Sequence, residues 1–205
     1  MSSKQPVRLK ELPGGAIRDA VLLDGMGKEE VDAAQGSWGP FLESELARLK
    51  NEGVPPAAWP QHRHWDWREK QKTIDGLLAY RIFGVECNSQ VQGLMLVATA
   101  GKVSRIESQK GRPLVYVHFV ATAPWNSPIV VAQPRFCGVG TVLLASAIQL
   151  SVDEEFSGRV GLHSLPQADA WYRKCGMTDL GPDPNEKQNL TYFEMTPEQA
   201  KAFLN

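Results

Sequence analysis

Apolar positions along this chain alternate, recur at helical spacing or run together, and each change of pattern predicts an element. Residues 6–12 (PVRLKEL) alternate and predict a short strand. Helical spacing follows from Ile17 to Leu23 and again through Phe41, Leu42, Leu46 and Leu49, with Gly53, Pro55 and Pro56 as the stop. Residues 55–72 (PPAAWPQHRHWDWREKQK) show neither periodicity and read as a structured, Trp- and His-rich insert running into a short helix. Residues 80–87 and 91–99 are β-prone runs separated by Asn88 and Ser89, a hairpin signature. Residues 114–123 (LVYVHFVATA) are rich in β-branched and aromatic side chains and predict a strand central to a sheet. Beyond a Pro-punctuated loop, Val142, Leu143, Ala147, Ile148 and Leu150 predict a helix from Thr141 to Phe156, ended by Gly158. RVGLHSL then reads as a strand, and PQADAWYRKCG as a short helix with Pro166 in its first turn and Gly176 past its end. A hairpin over residues 177–180 and 190–195 and a terminal helical turn, PEQAKAFL, complete the chain. The order predicts a single mixed α/β domain with one sheet, spanning residues 1–205.

Composition narrows the class. At 205 residues the chain can bury a sizeable core, and no segment approaches the roughly 18 consecutive apolar residues of a membrane span. The first twenty residues lack the apolar centre of a secretory signal, so the expected location is the cytoplasm. Cys87, Cys137 and Cys175 are far apart and odd in number, which fits reduced thiols. With 22 Lys and Arg against 23 Asp and Glu there is no basic stripe, so no nucleic-acid partner is expected, and no membrane partner.

The chemistry centres on PRFCGVGTVLL, residues 134–144. A turn that feeds a helix can cradle phosphate oxygens, because the first helical N–H groups lack internal partners and the dipole favours an anion. Glycines allow close approach and Arg135 adds charge, but the same turn can serve only to start a helix. A dinucleotide fingerprint needs a third glycine where Leu143 stands, and the P-loop pattern fails around Gly101 and Lys102.

The element order, together with Arg135-x-x-Gly138-x-Gly140, resembles the GNAT superfamily of acyl-CoA-dependent N-acetyltransferases. A second likeness lies downstream, where Ala168, Tyr172, Gly176 and Met177 match the family spacing Ala-x3-Tyr-x3-Gly-Phe. The resemblance covers about residues 6–195, the core of the domain, and implies a mostly antiparallel central sheet flanked by helices, with acetyl-CoA as acyl donor, an amine as acceptor and no metal. It places the coenzyme against Arg135, Phe136, Cys137, Gly138, Val139, Gly140 and Thr141, and against the backbone of Val120, Ala121 and Thr122. It also places Tyr172 against the coenzyme sulfur as an acid, although an amphipathic helix has ordinary uses for a tyrosine. Two departures stand out: Leu165 replaces a common Asn, and the strong strand carries no Asp or Glu. A non-catalytic module that keeps the fold and binds acyl-CoA or a protein is therefore the alternative.

Acyl transfer requires a neutral amine. An alkyl ammonium with pKa ~10.4 is neutral about one time in 2,500 at pH 7, a handicap of ~4.6 kcal/mol. His118 on the strong strand is the first candidate base, against a plain hydrogen-bonded sheet histidine. Glu86 on the neighbouring strand is the second, against a solvated side chain. Trp65, Trp67 and Trp125 are candidate walls of an acceptor groove or simply core. His62, His64 and Asp66 have ligand-type side chains, but alternate spacing without a fourth ligand is a poor metal signature. The acceptor amine and the oligomeric state, including a homodimer, stay open.

Overall fold

A computed structural model describes residues 2–186 and 188–205. Strand β1 (Ser3–Glu11) turns through residues 12–16 into β2 (Ile17–Asp24), the two pairing antiparallel from Ser3 opposite Asp24 to Lys10 opposite Ile17. The stretch from Ile17 to Leu23 is thus a strand, not the helix its spacing predicts. The turn supplies the reason: Gly15 at φ +74° bonds back to the Glu11 carbonyl at 2.9 Å, so the next backbone groups meet β1.

Helix α1 (Lys28–Asn51) begins well before the predicted start at Phe41. Gly36, Gly39 and Pro40 hide its first half from propensity, while Val31, Ala34 and Trp38 bury a stripe that supports it. Its first turn is acidic and its last basic, as the dipole favours, and Gly53 at φ +76° ends it as expected. In the insert, Asp66 caps α2 (Trp67–Thr73) by accepting the Arg68 N–H. Strands β3 (Tyr80–Cys87) and β4 (Gln90–Ala98) are joined by Asn88 and Ser89, both at positive φ as a tight hairpin requires. Then follow β5 (Val115–Thr122), the two-residue β6 (Phe136–Cys137), α3 (Val139–Asp153), β7 (Val160–Ser164) and α4 (Asp169–Lys174). Strands β8 (Thr178–Pro182) and β9 (Thr191–Met195) and helix α5 (Pro197–Leu204) complete the described chain.

The sheet has nine strands in the order β6-β1-β2-β3-β4-β5-β7-β9-β8. It is mostly antiparallel; β5 and β7 run parallel, in register only from Val115–Val160 to Val117–Leu162, while β5 continues to Thr122. Contacts gather the chain into two compact units, one of Met1–Met95 with Val120–Leu143 and one of Leu96–Phe119 with Leu144–Asn205. In the first, the Trp38 and Trp67 rings meet edge to face at 6.4 Å, as do Phe41 and Trp125 at 5.4 Å. In the second, Ile148, Val160, Leu162 and Phe193 are fully enclosed. Among the described residues no helix is long and apolar enough to cross a membrane.

Candidate functional site

The glycine turn belongs to the first unit. Phe136 and Cys137 pair with Glu11 and Lys10 of β1, which fixes the chain just ahead of the turn. Gly138 then adopts φ +92°, a conformation that favours glycine, and a Cβ there would meet nothing within 4 Å. The Val142 N–H bonds the Gly138 carbonyl at 3.0 Å, so the N–H groups of Val139, Gly140 and Thr141 precede the first helical bond. Gly138 and Thr141 are exposed, Gly140 is half-buried and Val139 is buried. The arrangement presents backbone donors at an open helix start.

A buried amide network that sequence reasoning did not identify holds this turn. The Asn126 Oδ1 accepts the Phe136 N–H at 3.0 Å, and its Nδ2 donates to the Gln92 Oε1, which also accepts from Trp125 Nε1 at 2.8 Å. Trp125 is thereby engaged in the core and does not line the cavity described below. Arg135 is exposed, with its guanidinium over the Trp125 ring at 5.1 Å and the Phe41 ring at 5.8 Å. Gly93 is a further unrecognised participant: a Cβ there would lie 2.4 Å from Val139 Cγ1, so the start of α3 packs directly on the β4 backbone. An isolated glycine inside a strong strand was the available signal for such an approach.

Also in the first unit, α1, the insert and the end of β5 enclose a cavity of about 230 Å³. Trp38, Leu42 and Leu46 of α1 form an apolar wall with Trp65 and Trp67, while Ala121 and Thr122 come from β5. Its ionisable lining is Glu43, His62, Arg63, His64 and Asp66. Trp65 sits between the His62 ring at 5.4 Å and the Trp67 ring at 6.5 Å. Trp67 is almost fully buried, and its backbone N–H donates to Gln35 Oε1 at 3.0 Å. Burial, and then the neighbouring His64, pushes the His62 pKa below its usual 6.5, so its imidazole is neutral at pH 7. Lys70 lies over Trp65 at 4.7 Å, and burial lowers its pKa to about 8. Among the described residues no group of three or more His, Cys, Asp or Glu is arranged to hold a metal.

The second unit contains the other candidates. Tyr172 of α4 is buried between Trp171 and Phe193, with ring centroids at 5.0 and 5.6 Å, and burial raises its pKa so that the phenol keeps its proton. His118 lies edge to face on Tyr116 at 4.7 Å, and burial, aided by Lys102, lowers its pKa to about 4. His163 is saturated: Nδ1 bonds the Tyr116 hydroxyl and Nε2 bonds Asp183 at 2.9 Å. Arg105 also donates to Asp183, and Glu194 accepts from the Ser104 hydroxyl and the Arg105 N–H. Glu86, the remaining candidate, is half-buried on β3 opposite Val21 of β2, in the first unit.

No protein-family model matches the sequence, and no curated protein matches it. Solved structures do share its fold. The aminoglycoside acetyltransferase AAC(6')-Ib in complex with coenzyme A matches with TM-score 0.55 at 13% identity, over 91% of this chain and 99% of that one. RimJ of Mycobacterium smegmatis in complex with CoA-disulfide gives 0.53 at 14% identity, over 98% and 92%. FeeM, an N-acyl amino acid synthase from uncultured soil microbes, gives 0.54 at 12% identity, over 90% and 95%. The chain therefore has the fold of the GNAT acyltransferases.

Proposed function

We propose that the protein is an N-acyltransferase that moves an acetyl group from acetyl-CoA to a primary amine by direct attack. The observation that carries this reading is the turn at Gly138. Its positive φ, the open space at its Cβ position and the N–H groups that precede the first helical bond suit a pyrophosphate better than a plain helix start would require. Arg135, stacked on its rings beside the turn, contributes charge without donating into it. That AAC(6')-Ib and RimJ bind coenzyme A on the same fold supports the choice of donor.

In the reaction the amine attacks the thioester carbonyl and the thiolate leaves. A backbone N–H among Val120, Ala121 and Thr122 is assigned to the oxyanion. Tyr172 is assigned to the leaving sulfur from the family spacing it matches; burial keeps its phenol protonated, which makes it a weak acid. His118 is a poor base at pH 7, because burial and Lys102 lower its pKa to about 4. The same observation, with the absence of a carboxylate from β5, favours the second reading, a module that binds acyl-CoA without turnover.

Calorimetric titration with acetyl-CoA, coenzyme A and dephospho-coenzyme A tests both readings. The wild type binds acetyl-CoA, and Gly138→Glu lowers the affinity by about 100-fold or more, because a side chain strains the φ +92° turn and its carboxylate repels the pyrophosphate. No binding by the folded wild type overturns both. Binding without thiol release from any amine selects the module.

A further inference from the structure

We infer that His62 is the general base of the acyl transfer, taking its proton from an ammonium carried on a compact apolar body in the tryptophan-walled cavity. The inference rests on the acyltransfer reading proposed above and places the base on the insert, beside the cavity, instead of on β5.

The geometry favours His62 over the other histidines. Its ring lines the same cavity as Ala121 and Thr122, the β5 backbone assigned to the oxyanion. Among the described residues no hydrogen bond occupies its ring nitrogens, and its recorded partner is the Trp65 ring. His163 has both nitrogens engaged, by the Tyr116 hydroxyl and by Asp183, so neither is open to a ligand. The His62 backbone is fixed as well, because its carbonyl accepts the Trp65 N–H at 2.9 Å. The segment is anchored through its backbone, and among the described residues the ring nitrogens have no hydrogen-bond partner.

The lining specifies the acceptor. A cavity of about 230 Å³ lies below the roughly 300–1,000 Å³ of drug-sized sites, which limits the acceptor to a small molecule or a single side chain. Trp38, Leu42, Leu46, Trp65 and Trp67 give it apolar walls on which a cation is also attracted to ring faces. The charged groups facing His62 are Glu43 from α1 and Arg63, His64 and Asp66 from its own segment, while Ala121 and Thr122 of β5 add none. Lys70 of α2 lies on the Trp65 ring. Arg63 donates to the Pro60 carbonyl and Asp66 spends Oδ1 on the helix cap, so Glu43, together with Asp66 Oδ2, is the acidic part of the lining that an ammonium would meet.

The proton count is complete. An ammonium loses two protons over the reaction. One passes to His62 and on to solvent; the other ends on the coenzyme sulfur as the C–N bond forms and the C–S bond breaks. Only an unprotonated imidazole can accept, and the lowered pKa of His62 keeps it so at pH 7.

The test uses acetyl-CoA with tryptamine, benzylamine and hexylamine, read by free-thiol release. Expected are turnover of at least one amine, and for His62→Gln a fall in kcat of about 100- to 1,000-fold with little change in KM or acetyl-CoA affinity. The acidic limb of the wild-type profile, with an apparent pKa below 6.5, disappears in the variant. In His62→Ala, added imidazole restores rate, which a merely structural role would not allow. An unchanged kcat in His62→Gln, or acetyl-CoA binding without turnover of any of the three amines, overturns the inference while leaving the coenzyme site intact. Failure of the wild type to bind acetyl-CoA instead sinks the reading beneath it.

Discussion

His62 and His163 are the same residue type in opposite circumstances. In the second unit, His163 is closed on both sides, by Tyr116 at Nδ1 and Asp183 at Nε2, and Asp183 is itself held by Arg105. In the first unit, His62 has an aromatic neighbour, a cavity and no hydrogen-bonded partner among the described residues. A histidine whose nitrogens are spent holds parts together, and one whose nitrogens are open can exchange protons with a ligand. Satisfaction of hydrogen-bonding capacity, more than burial, distinguishes the two histidines.

The strongest way to break the comparison is to open the closed cluster. Glu194 is about 1% exposed and accepts from the Ser104 hydroxyl and the Arg105 N–H. Glu194→Ala leaves these donors and the Ile106 N–H, which also bonds the carboxylate, unsatisfied and should cost about 3–5 kcal/mol of stability in urea unfolding, while turnover per folded molecule stays near wild type. His62→Gln should give the mirror image: a barrier higher by about 3–4 kcal/mol and a stability change within about 0.5 kcal/mol. If His62→Gln unfolds the protein, or Glu194→Ala abolishes turnover without unfolding it, the division fails. A smaller effect sharpens it. Tyr116→Phe removes one partner of His163 and should cost about 1–2 kcal/mol by thermal unfolding, with the pH profile of turnover unmoved.

How much of this was legible beforehand follows from the range of each interaction. Alternation and turn chemistry marked β3, β4 and β5 because both are local, and the glycine turn was legible because its backbone requirement is local too. Ile17 to Leu23 misled because eight residues of strand can imitate helical spacing when Ile17, Ala20 and Val21 fall three and four apart. Strand β6, with two residues, has no periodicity to read. The cluster around His163 was invisible for another reason: Arg105 reaches Asp183 across 78 positions, and Ser104 reaches Glu194 across 90. No window along the chain contains such a pair. His62 was visible as a residue type, but its candidacy depends on what does not bond to it, which only the fold shows.

Acid titration gives the smallest effect and tests whether the closed cluster is electrostatic as well as steric. Hydrogen bonds from Arg105 and then His163 hold the Asp183 carboxyl far below its ordinary 3.8. A carboxylate whose folded pKa is depressed contributes stability that is fully present above its unfolded pKa, near ~3.9, and lost as pH falls through the folded value. Wild-type stability should therefore decline below about pH 4 in part through this group. Asp183→Asn starts from a lower plateau, because Arg105 loses its carboxylate, but lacks this contribution to the decline. The two stability curves should converge as pH falls from 5 to 2. Parallel curves across that window would mean that Asp183 is ionised no more readily in the folded state than in the unfolded one, and that the cluster is held by shape and neutral hydrogen bonds alone.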